Sequence, residues 1–233
     1  MISDKQRARL AGLSFLAVIG FGVFAEFYVR QQIYVFNDPA ATANNIAEYS
    51  SLYTLGIVSD LMMALAYFLF PLILHPLFLS VNKNLLRLMI LSVSVAVTIL
   101  CLNSINQIAA LEMVNGSDYL GALSADQRDG WSTFFLKLHG KGYKIAQIFY
   151  GLYLLPLGYL IYKSGRIPKI IGVFLMLGFV GDFIDYFWYF LFPDFDSILL
   201  ANITLPADLG EFSLCLWLLV MGIRPPKTVE AVS

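Results

Sequence analysis

The chain has 233 residues, of which 59% are hydrophobic and only 13% charged, against about 25% charged in an average soluble domain. So apolar a chain cannot hide its side chains in one soluble core, and it reads as a polytopic membrane protein with the lipid bilayer as its partner. A formal net charge of −1, without a basic block or aromatic-basic interleaving, gives no footing for a nucleic acid partner.

The expected fold is all-α: a single transmembrane domain over 1–233 with spans at about 10–29, 51–79, 85–113, 135–162, 170–192 and 206–223. The first span carries Glu26 and Arg30 and no small-residue cleavage site follows it, so it reads as a retained span, not a signal peptide. Asn37-Asp38-Pro39 predicts a helix start, with Asp38 as N-cap and Pro39 at the first helical position of a short interfacial helix. Pro71 and Pro76 should bend the end of span two, and Asn82-Lys83-Asn84 turns the chain into span three. Asn115-Gly116-Ser117 breaks that span, and Ser124-Ala125-Asp126-Gln127 is a capping-box pattern that opens another short helix. Span four contains Pro156, and Gly165 is a natural C-terminal cap before Pro168 starts span five. Pro193-Asp194 ends span five, and Pro225-Pro226 forbids continuation of span six. Cys101 and Cys215 are lone residues within apolar runs, which suggests neither a disulfide framework nor a zinc knuckle.

Cations give the orientation. With the N-terminus inside, the cytoplasmic side holds Lys5, Arg7, Arg9, Lys83, Arg87, Lys163, Arg166, Lys169, Arg224 and Lys227, ten of the 15 Lys and Arg residues. Arg30, Arg128, Lys137, Lys141 and Lys144 remain for the opposite side. The positive-inside rule then predicts N-in and C-in, with short inner links and long outer loops.

In that frame each span offers polar groups at a similar outer depth. Glu26 and Arg30 are i,i+4 on span one, and Asp60 is well inside span two. Asn103, Asn106 and Gln107 share a face of span three, and His139, Tyr143, Gln147 and Tyr150 form a stripe on span four. Asp182 and Asp185 are i,i+3 on span five, as are Asp208 and Glu211 on span six. Ionisable groups in lipid cost several kcal/mol, so they should face a shared interior, which predicts an outward-opening cavity rich in carboxylates. Structural readings stand beside this one. Glu26–Arg30 also fits an interfacial helix pair, Asp208 a cap, Asn103 and Asn106 interhelical glue, and Tyr186, Trp188 and Tyr189 an aromatic belt. His139 followed by Gly140 also fits a boundary histidine bonded to backbone, and His75 a structural one.

The segments RLAGLSFL, FAEFYVR, LHGKGY, GYLIYKSGRIPKIIGVFL and LGEFSLCLWLL together resemble a bacterial six-span membrane family described as a domain of unknown function. The resemblance covers nearly the whole chain, with His139-Gly140, Ser164-Gly165, Pro168, Gly172 and Glu211 on its recognisable positions. It implies a helical bundle in a bacterial plasma membrane and carries over no catalytic role.

Three functions follow. One is binding or movement of a small cation, proton or polar solute in the outer cavity, drawing on Glu26, Asp60, Asn103, Asn106, His139, Tyr143, Asp182, Asp185 and Glu211. A second is an intramembrane hydrolase whose cofactor is a divalent metal held by His139, Asp60, Asp182 and Glu211. Against it, zinc enzymes usually recruit two or three histidines, and only His139 is well placed. The third is a non-catalytic sensor or partner subunit, whose oligomeric state the sequence leaves open.

Overall fold

A computed structural model of the chain describes residues 2–117, 120–193 and 202–225. Asp194, Pro226 and Lys227, invoked above, lie outside the described residues. Among those described, every regular element is helical: α1 Asp4–Ile33, α2 Pro39–Glu48, α3 Ser50–Phe78, α4 Lys83–Asn115, α5 Ala125–Ser164, α6 Lys169–Leu191 and α7 Leu205–Val220. Five of them (α1, α3, α4, α5 and α6) are long and apolar enough to cross a bilayer. The 16 residues of α7 span only about 24 Å at 1.5 Å per residue, less than a hydrocarbon core of about 30 Å.

The helix ends follow local chemistry. Asp38 Oδ1 accepts from Ala41 N at 2.9 Å with Pro39 in the first turn, as its sequence predicts. The Ser124 capping box closes in both directions, at 2.8 and 3.3 Å. It does not open a separate short helix. The polar residues 125–134 run straight into the apolar stretch, and α5 continues for 40 residues, interrupted only by a turn at Tyr153. Gly165 ends α5 in the left-handed region, at φ 63°, where a side chain would be strained. The predicted proline stop of α7 is pre-empted: Gly222, at φ 72°, turns the chain first, donating to Trp217 O at 3.0 Å. Asp208 caps nothing; it is an exposed residue of the first turn of α7, whose N-cap position is Thr204.

Burial is inverted relative to a soluble protein. Leu13, Leu91, Leu102, Phe187, Leu191 and Leu216 are exposed, while Asp60, Gln107, His139, Gln147 and Asp182 are buried. Apolar side chains outward and polar ones inward is the arrangement that hydrocarbon solvent selects. The chain divides into two compact units, one of residues 1–16, 67–96 and 147–233, the other of residues 17–66 and 97–146.

In the first unit, small residues let helices approach closely, the device that replaces hydrophobic drive inside a bilayer. A Cβ on either Gly158 or Gly172 would lie 2.5 Å from the other's carbonyl oxygen, which brings the end of α5 onto α6. A Cβ on Gly178 would sit 2.5 Å from the Cα of Ala207, joining α6 to α7. Leu157, Leu160, Leu175, Leu214 and Leu218, all fully buried, fill the space between. Arg166, in the link between α5 and α6, is buried and fully engaged. It donates to Asp4 at 2.6 Å, Leu77 O at 3.0 Å and Arg224 O at 2.8 Å, and Arg224 N returns a bond to Arg166 O at 3.0 Å.

The second unit packs Val29, Ile33, Ile46, Tyr53 and Ile57 into one apolar core, with Leu111 and Leu136 against it. This core holds α2 against the ends of α1 and α3, and Ser132 Oγ adds a bond to Ala110 O at 3.0 Å.

Candidate functional site

Four helices of the second unit bring polar side chains to one place. The last turns of α1, Phe24–Arg30, are π-helical, a form common as a local bulge at functional sites. On this wider turn Arg30 Nε pairs with Glu26 at 3.1 Å. The same guanidinium turns its Nη1 and Nη2 to Asp60 on α3, with four nitrogen–oxygen distances between 3.1 and 3.4 Å. Asp60 is 4% exposed, so this two-pronged pairing is what allows a carboxylate there.

Gln107 on α4 extends the chain of contacts. Its Nε2 donates to Asp60 Oδ2 at 2.6 Å and lies 2.6 Å from His139 Nε2 on α5. An amide nitrogen can only donate, so in this arrangement His139 Nε2 accepts and the neutral ring carries its proton on Nδ1. Tyr53 Oη holds the Gln107 carbonyl at 3.0 Å. Asn103 Nδ2 donates to His139 O at 2.8 Å, and Asn106 Nδ2 to Asn103 Oδ1 at 3.0 Å. Gly142 makes the asparagine's approach possible, since a Cβ there would lie 2.0 Å from Asn103 Oδ1. Tyr143 flanks the cluster, edge-on to His139 at 5.6 Å between ring centres and beneath the Arg30 guanidinium at 5.9 Å.

Beside this network opens a cavity of about 490 Å³, walled in part by Glu26, Arg30, Tyr53, Gln107, Lys137 and His139. That volume lies within the range of small-molecule pockets, about 300 to 1,000 Å³. Its charge is mixed. Arg30 and Lys137 face Glu26, and the acid behind the wall, Asp60, is already matched by Arg30. The carboxylate-rich cavity expected from the sequence is not what this wall presents.

The other predicted acids gather in the first unit. Tyr153 Oη donates to Glu211 Oε1 in a short hydrogen bond that ties α5 to α7. Asp182, 5% exposed, lies against Gly151, where a Cβ would be 2.9 Å from its own. Gln147 Nε2 donates to Asp185 Oδ2 at 2.7 Å and reaches Asp182 O at 3.5 Å. Tyr67 on α3 meets Tyr153 edge-on at 5.4 Å.

Of the nine predicted site residues, the structure thus brings together Glu26, Asp60, Asn103, Asn106, His139 and Tyr143 in one unit. Asp182, Asp185 and Glu211 belong to the other. The four residues read as metal ligands divide in the same way, and among the described residues no three His, Cys, Asp or Glu side chains are grouped to hold a metal. Sequence reasoning missed Arg30 as the partner of Asp60, and Gln107 as the bridge to His139. The second was within reach, because Gln107 is i+4 from Asn103 on the same face. It also missed Tyr153, which sits in an apolar run with nothing to mark it.

The profile of a family described as "Domain of unknown function (DUF4386)" matches residues 10–222. An "Uncharacterized protein" of Archaeoglobus fulgidus is 31% identical over 98 residues, 42% of this chain and 54% of that protein, so the chain spans about half the length of this relative. No solved structure matches the chain.

Proposed function

The chain belongs to the DUF4386 family, and from that premise and the geometry above we propose that it is an integral membrane protein that binds or moves a small polar solute. The observation that carries this reading is the 490 Å³ cavity walled by Arg30, Gln107 and His139. Because Arg30 already compensates Asp60, a bare cation gains little there. A solute that brings both a hydrogen-bonding end and an apolar body suits a wall where Val29, Ile33 and Leu136 join the polar groups. The test is a thermal-shift panel of amino acids, short carboxylic acids and alkylamines on detergent-purified protein. One class should raise the melting temperature, and Gln107→Leu should abolish the rise; a panel that leaves the parent unmoved refutes the reading.

We further propose a bacterial plasma membrane, as the family resemblance implies, with the short α7 as a sixth span beside the five long ones, and N-in, C-in on the strength of the cation asymmetry. On that topology a single cysteine at position 124 of a cysteine-free variant reacts with an impermeant thiol reagent in intact cells, and one at position 164 does not. The opposite labelling pattern overturns it.

A further inference from the structure

The first unit contains a group of oxygens that the solute cavity does not use. Tyr153 of α5 bonds Glu211 of α7 and meets Tyr67 of α3 edge-on, and Asp182 of α6 packs on Gly151, two residues before Tyr153. Acidic clusters alone say little, but here a second feature points to an occupant. Gln147, 3% exposed, uses its amide nitrogen on Asp185 and on the Asp182 carbonyl, and its Oε1 is left buried with no hydrogen-bond partner. A buried acceptor left unsatisfied costs about 1–3 kcal/mol, so such atoms in a native fold mark a missing donor or ion.

We propose that this cluster is a binding site for one small monovalent cation, Na⁺ or a protonated water, held by the carboxyl groups of Asp182 and Glu211 with Gln147 Oε1. Three observations fix the class of ligand. The donors are all hard oxygens, which suit alkali ions or a hydronium and disfavour soft transition metals. Among the described residues no group of three or more metal-ligating side chains is assembled, and two carboxyl groups with one amide oxygen fall short of the six or more oxygens that a calcium ion takes. Two carboxylates in a low-dielectric interior also repel each other, and one positive charge between them removes that cost. The other ionisable groups facing the site are Tyr150 and Tyr153 of α5, Asp185 of α6 and, at the rim, the exposed Asp208. The proposal is independent of the solute cavity, whose residues all lie in the other unit.

The experiment measures the melting temperature of purified protein in sodium, lithium, potassium or choline chloride at constant ionic strength, repeated across a pH series. Equilibrium binding of radiolabelled sodium to the parent accompanies it. For Na⁺ the expected result is a saturable rise in the parent, weakened about ten-fold or more by Gln147→Leu and lost in Glu211→Gln. Glu48→Gln, at an exposed position of α2, should keep the parent's response. If alkali ions do nothing but acidification stabilises the parent in a way that both variants remove, the occupant is a proton, carried by the carboxyl pair or by a water between them. If neither salt nor acid produces a response that the variants remove, the proposal fails. Should the variants not fold, the parent still decides: near-stoichiometric sodium binding or a saturable acid response supports the site, and the absence of both overturns it.

Discussion

The two units solve the same problem, a buried acid in an apolar chain, by opposite means. In the second unit Asp60 is met by a full positive charge, Arg30, in two-pronged geometry, and Gln107 and His139 complete the network. In the first unit the partner of Glu211 is a neutral hydroxyl, Tyr153, and that of Asp185 a neutral amide, Gln147. An ion pair built from two side chains of the same chain is permanent: neither charge can leave. A carboxyl group met by a hydroxyl keeps a proton or a cation exchangeable. With the proposed cation site, the contrast separates a charge that holds the wall of a cavity from one whose counter-ion can exchange.

The comparison is broken most directly at Arg30. Arg30→Met strands a buried carboxylate and should cost about 3–5 kcal/mol, toward the lower end because Arg30 is itself partly exposed. Arg30→Met combined with Asp60→Leu should regain most of that loss, since an apolar pair leaves no orphan charge. Detergent unfolding curves of the two single variants and the double variant check this. A single-variant loss below about 1 kcal/mol would place the pair with ordinary surface ion pairs.

A far smaller effect is expected in the first unit. Glu211→Gln removes the charge but keeps an oxygen for the Tyr153 hydroxyl, so in choline medium its stability should change by less than about 1 kcal/mol. The same unfolding measurement applies. A loss as large as that of Arg30→Met would show that the Glu211 charge is structural, and the two units would then be alike.

What the sequence made legible was whatever acts over a few residues. Asp38 and Pro39 start α2, Ser124 and Gln127 start α5, and Gly165 ends it, because each depends on backbone donors or angles within one turn. Of the six apolar runs read as spans, five are helices long and apolar enough to cross a bilayer, because lipid selects composition directly. The continuity of α5 was hidden, since residues 125–134 are helical yet polar, and hydropathy sees only the part that lipid would accept. The grouping of site residues was hidden for a different reason. Depth along a span can be counted, but rotation about its axis depends on neighbours. Arg30, which meets Asp60, is carried on a π-helical stretch, and nothing in FAEFYVR marks that widening. Asp60 and Asp182 looked equivalent by depth and proved to have different surroundings.

The contacts of Arg166 also bear on the order in which the protein can be completed. Its guanidinium joins Asp4, near one end of the chain, to the Arg224 carbonyl, near the other, with Leu77 between. During synthesis this arginine leaves the ribosome long before residue 224 exists, so for that interval one of its acceptors is absent. On the proposed N-in topology its charge helps meanwhile to keep the link between α5 and α6 from crossing. Only when α7 is in place and Gly222 has turned the chain back does the final carbonyl arrive. On that topology, one residue is first a marker of sidedness and then the fastener between α1 and the turn after α7.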